Sequence, residues 1–233
     1  MIEQTAADVP TDRGATSTLD VEIWFDFACP WCWIGARRWD AALARFAHAD
    51  RVQTRWRSFE LRPGYAGTPP RLLVEIMRED WAMDEATVTE ILERIRSEGN
   101  TEGLQLRPES VRPVSTLDAH RLTQAAVEHG VGDAVRESLF TAYQRDLADL
   151  ADRDLLTELA AAAGLDRAVA AQLWRTDAYS DVVHTEHARA AEVGATAVPA
   201  YRIGGGTHSG SLATEELLEL LEEAWRARSS IPG

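Results

Sequence analysis

Cysteine is nearly absent from this 233-residue chain: there are two, Cys29 and Cys32. A secreted domain braced by disulfides needs more, at wider spacings, so that class is excluded. Lysine is missing altogether. All 24 basic side chains are arginine, against 38 acidic ones, for a formal net charge of −14. An acidic surface repels phosphate backbones and anionic lipid, which argues against nucleic-acid and membrane partners. No apolar run approaches the ~20 residues that span a bilayer. The opening stretch, MIEQTAADVPTDRGATSTLD, has no basic segment leading into an apolar one. Residues 1–19 therefore read as a disordered polar arm and the protein as cytoplasmic.

What is present is ample material for a core: 45% apolar residues and 8 tryptophans, enough for one sizeable domain with an insertion. Residues 21–28 (VEIWFDFA) read as a strand, 30–47 as a helix and 51–60 as a second, alternating strand. Strand–helix–strand over about 40 residues is a βαβ unit with parallel strands. A turn-rich RPGYAGTPP comes next. Residues 70–80, 84–99, 115–130, 133–149, 152–163, 166–175 and 178–193 then carry helical spacing. Ser115 with Asp118 resembles a capping arrangement, and Gly99, Gly130 and Gly164 stand where helices stop. The end returns to strands at 200–203 and 207–210 around GGG, and then an amphipathic helix over 213–228. The expected architecture is a discontinuous α/β domain, 20–62 plus 190–228, interrupted by a helical insertion at 63–189.

The chemistry concentrates in FDFACPWCWIGARR. Pro30 suits the first position of a helix, where its missing N–H costs nothing. Cys29 then falls at the N-cap. Free N–H groups and the helix dipole at that point favour a thiolate, the nucleophilic form of sulfur. Cys32 lies one turn on, within reach of a disulfide. Two other uses stay open: a pair of small core residues, or half of a zinc site completed by His184 and His187. Far along the chain, TAVPAYRI sets Pro199 at a strand entry. If the Val198–Pro199 bond is cis, this loop can approach the sulfurs and leave backbone groups free for an extended substrate. An ordinary strand-entry proline is the alternative.

Several neighbours are candidates for support. Asp26, three before Cys29, can relay the proton of Cys32, or it is a solvated strand-end carboxylate. His120 has the titration range for a role at neutral pH if its helix crosses the site. Trp31 is expected to be exposed and to offer an apolar surface to unfolded chains. Arg37 and Arg38 read as a solvated helix face.

CPWC together with AVP resembles the DsbA-like thioredoxin family, and more closely its cytoplasmic FrnE-type branch. The likeness spans roughly residues 20–228. FDFACPWCWIG, STLDAHRL (115–122) and GATAVPAYRIGGG…SGSLATEELLELLEEAW carry it. The resemblance implies a thioredoxin-like fold with a helical insertion and dithiol–disulfide oxidoreductase activity. Cys29 would be the attacking thiol, Cys32 the resolving thiol and Pro199 the cis-proline, with Pro30, Trp31 and Val198 lining the centre. It implies no metal and no cofactor beyond the Cys29–Cys32 disulfide, with glutathione open as reductant. Partners would be thiol- or disulfide-bearing proteins or small thiols, met by a monomer or homodimer. Two departures stand out. Ser115 occupies a position where the family usually has Asn, and no further cysteine exists for an internal exchange. Glutathione-dependent kappa-class transferases and 2-hydroxychromene-2-carboxylate isomerases are similar in fold, and supply the alternative function.

Overall fold

The structure is a computed structural model and describes residues 18–65 and 71–229. Residues 1–17 of the expected arm lie outside the described residues, whereas Leu19 already belongs to the first strand.

Four strands form one sheet in the order β2-β1-β3-β4. β1 (Leu19–Phe25) runs parallel to β2 (Val52–Ser58), joined by α1 (Pro30–Arg45). β3 (Ala200–Ile203) is antiparallel to β1, and β4 (Gly206–Ser209) is antiparallel to β3. This is the thioredoxin-like arrangement, with a helical insertion between its βαβ and ββα parts. β1 is central and covered on both faces, so six of its seven residues are buried. Val21, Ile23, Trp24 and Phe25 are buried there together with the acidic Glu22, and Asp20 alone is exposed. The GGG hairpin forms as expected, with Gly204 and Gly205 at φ 57° and 90°, the left-handed values a two-residue turn requires.

Between the halves run α2 (Leu73–Glu79), α3 (Glu85–Thr101), α4 (Leu117–Glu128), α5 (Gly132–Phe140), α6 (Arg153–Ala162), α7 (Arg167–Leu173) and α8 (Ser180–Glu192). α9 (Thr214–Ser229) closes the chain. The continuous helix expected over 133–149 is broken. After Phe140 the chain widens into a π-turn at Thr141–Arg145, and Leu147 turns left-handed at φ 61°.

Two cores flank the sheet. One joins Val21 and Ile23 to Trp39, Tyr201, Leu217 and Leu221, beneath α1 and α9. The other contains Trp24, Phe27, both cysteines and Trp33, and runs on into Leu122, Leu139 and Phe140 of the insertion. The cysteines therefore sit at the seam between the sheet and the inserted helices. No described helix is long and apolar enough to cross a membrane.

Candidate active site

β1 ends at Phe25, and Asp26 shapes the turn from that strand into α1. The Cys29 N–H donates to the Asp26 carbonyl at 3.1 Å. The Asp26 carboxylate accepts the N–H of Ala28 at 3.2 Å and that of Leu61, just past β2, at 2.6 Å. Asp26 is 1% exposed. It is a buried clamp between two strand ends, which corrects the solvated reading.

Pro30 opens α1 and Cys29 is its N-cap, as the sequence indicates, but the Cys29 sulfur makes no cap hydrogen bond. Its thiol instead donates to the Val198 carbonyl at 3.5 Å, and the Val198–Pro199 peptide is cis. Both sulfurs are largely covered: Cys29 is 5% exposed and Cys32 0%. Both thiols are free. Burial first, then the hydrogen bond and charge of Cys29, push the Cys32 thiol well above its ordinary range; the Asp26 backbone acts the other way. Cys32 must therefore surrender its proton before it can attack.

α4 does cross the site. His120 is fully buried against Phe25 and Phe27, with ring centroids 5.1 and 4.9 Å away, and its Nε2 lies 3.4 Å from Asp26 Oδ1. Its Nδ1 has no partner. The helix starts with Thr116 at its N-cap. Ser115 Oγ accepts the Leu117 N–H at 3.4 Å, whereas Asp118 pairs with Arg121 and Arg153. The expected box of Ser115 and Asp118 therefore does not form.

The cis-proline loop is packed tightly. A Cβ at Gly35 would collide with Tyr201 Oη and come within 3.0 Å of Pro199 Cγ. Only glycine lets α1 lie this close to the loop. Beside the sulfurs, a groove of about 460 Å³ is lined by Trp31, Arg38, Arg94, Glu98, Val198 and Ser211. Trp31 is half-buried, under the Arg94 guanidinium at 5.2 Å, a correction to its expected exposure. Arg38 is no solvated residue either. It binds Glu98, Glu102 and Ser211 with its side chain 11% exposed, tying α1 to α3. Arg37 pairs with Glu137, which also accepts the Trp33 indole N–H.

His184 is exposed and His187 half-buried on α8. Among the described residues no three or more His, Cys, Asp or Glu side chains come together to hold a metal ion. Sequence reasoning missed Glu60, the residue between the two β2-end backbone N–H groups of Phe59 and Leu61, which bond to Phe25 O and to Asp26. An acidic residue closing an alternating strand was its only signal.

A DSBA-like thioredoxin domain model matches residues 20–222. The chain is similar to a probable DsbA oxidoreductase of Streptomyces coelicolor: 32% identity, TM-score 0.85, covering 92% of this chain and 93% of that one. It is 27% identical over 190 residues to the uncharacterized protein YwbO of Bacillus subtilis, covering 80% of this chain and 88% of the relative. A cytosolic disulfide reductase, DsbM of Pseudomonas aeruginosa, solved with GSH, shares the fold at 19% identity and TM-score 0.56, covering 91% and 98%.

Proposed function

Since the chain belongs to the DSBA-like thioredoxin domain family, we propose that it exchanges disulfides with protein or small-molecule thiols in the cytoplasm, as a member of the FrnE-type branch. The observation that carries this reading is the stacking of parts at one point: Cys29 beneath the Val198 carbonyl, Cys32 one turn deeper, and a buried Asp26 behind it.

In the reducing direction the Cys29 sulfur, as thiolate, attacks a substrate disulfide. One substrate sulfur leaves as thiolate, and a mixed disulfide forms. Cys32 then loses its proton and attacks the Cys29 sulfur. The second substrate thiolate leaves and the Cys29–Cys32 disulfide closes, so two electrons have passed to the substrate. Asp26, buried and close enough for its charge to act on Cys32, is the base that takes the Cys32 proton. The oxidising direction is the reverse. Val198 positions the substrate: its N–H makes no hydrogen bond among the described residues, so an extended chain can pair with it. With no third cysteine, the disulfide must be turned over by an external thiol. Glutathione fits: its carboxylates would meet Arg94 over Trp31 in the adjoining groove.

The test is the division of labour. Cys29→Ser abolishes insulin reduction and dithiol oxidation, whereas Cys32→Ser accumulates mixed disulfides visible on non-reducing gels. Equal trapping by both variants defeats the assignment. Glutathione-linked turnover surviving the loss of both cysteines favours the transferase or isomerase alternative.

A further inference from the structure

Behind the dithiol lies a group of titratable side chains larger than a single base requires. Asp26 comes from the end of β1, His120 from α4 and Glu60 from just past β2. Glu60 is 3% exposed and its Oε1 has no hydrogen-bond partner. The same is true of His120 Nδ1. Two orphaned buried polar atoms in one neighbourhood are rare, because each costs about 1–3 kcal/mol.

The backbone holds these groups together. Leu61 N–H is fixed on Asp26 Oδ2 at 2.6 Å and Phe59 N–H on Phe25 O at 2.9 Å, so Glu60 is pinned between two contacts to the end of β1. Its own N–H donates to His187 Nδ1 at 3.2 Å, and Phe59 stacks on that imidazole at 4.4 Å. Burial pushes the Glu60 carboxyl up; His120 and His184 pull it down, and Asp26 pushes it further up. On the inner side, Cys32 and Tyr143 feel the Asp26 charge. His120 Nε2 lies 3.4 Å from Asp26 Oδ1, Glu60 is held next to Leu61 on the same Asp26 clamp, and His184 is exposed on α8.

We propose that Glu60 is the outer member of a buried Asp26–His120–Glu60 relay that carries the Cys32 proton away from the substrate side when Cys32 closes on Cys29, and returns it when the disulfide reopens. Buried ionisable groups that feel one another's charge titrate as a unit. When Cys32 attacks, its proton passes to this unit, its electron pair forms the new S–S bond, and the substrate thiolate leaves. The oxidant is the disulfide substrate. Release on the α8 side, where His184 is exposed, lets the proton reach water while the substrate still covers Cys29. Glu60 acts through Asp26 and His120, so it is a positioning residue.

The inference rests on the exchange reaction proposed above, and the experiment separates the two. Attack is read as mixed-disulfide formation in a Cys32→Ser background. Closure is read as release of a pre-formed mixed disulfide when Cys32 is present, across pH 5–9. Glu60→Gln is expected to slow closure about tenfold near neutral pH, the lower end of acid–base effects. It should also move the midpoint of the closure profile to lower pH, since Asp26 loses a neighbouring carboxylate. Attack should stay within about twofold. Slowing of both steps alike, or slower closure with an unmoved midpoint, overturns the relay. If Glu60→Gln does not fold, the wild type still decides: a solvent deuterium effect on closure is expected, and its absence overturns the relay. A wild type that forms no mixed disulfide defeats the exchange reading itself.

Discussion

Two glutamates shifted in opposite directions show what single side chains contribute. Burial pushes Glu22 up, but hydrogen bonds and charges from Arg189 and Arg57 outweigh it, and its carboxyl is held below the usual 4.5. A depressed acid adds stability above pH 4.5 and loses it as pH falls through its folded value. Glu22→Gln should therefore lower Tm at pH 7, with the deficit shrinking in acid. Glu60 is raised from the same 4.5, so the native state favours its proton. Its ionised form is a cost at neutral pH that vanishes below about 4.5. Glu60→Gln should raise Tm at pH 7 and change nothing at pH 4. Melting curves of both variants at the two pH values check the opposite signs. A site that retains a destabilising carboxylate is consistent with use of that group for proton transfer.

The elements were legible where periodicity decides them and illegible where a side chain does. CPWC at a strand-to-helix junction was readable because the proline and the one-turn spacing of the cysteines fix the helix start locally. The break after Phe140 was not. Residues 133–149 carry a helical pattern throughout, yet Asp146 N–H bonds to Thr141 O, a five-residue span. A π-turn of this kind is common at functional sites. Here it places Gln144, 1% exposed, so that its Nε2 donates to the Phe27 carbonyl at 2.7 Å. That carbonyl lies between Asp26 and Cys29, so the insertion holds the active-site turn from behind. Gln144→Leu removes the donor and strands a buried carbonyl, worth about 1–3 kcal/mol. Its Tm should fall by roughly 2–4 °C per kcal/mol for a chain of this size, and insulin reduction should slow. An unchanged melt would show that water or another donor takes over.

Across the molecule, the order of sheet and insertion was readable in the sequence, and the two discontinuous halves met as their patterns suggest. What could not be read were the contacts that join distant segments. Glu186 of α8 accepts Ser58 N–H, Arg57 and Gln124, which sews the insertion to β2. The burial of Asp26 and the place of Glu60 likewise depend on segments far apart in the chain, and no local pattern records them. One of these long-range contacts bears on how firmly each oxidation state holds an extended peptide. The Cys29 thiol occupies the Val198 carbonyl only while its sulfur carries hydrogen. Once the sulfur enters a disulfide the donor is gone, and the carbonyl is vacant for a visiting peptide N–H. The two oxidation states thus compete for one acceptor: the dithiol shuts it against the peptide and the disulfide opens it. A cysteine-free extended peptide should bind the oxidised protein more tightly than the reduced one in calorimetric titration. By thermodynamic reciprocity the same peptide, at saturation, should then raise the ratio of oxidised to reduced protein in a fixed glutathione buffer by an equal factor. Equal affinity for the two forms would rule this competition out.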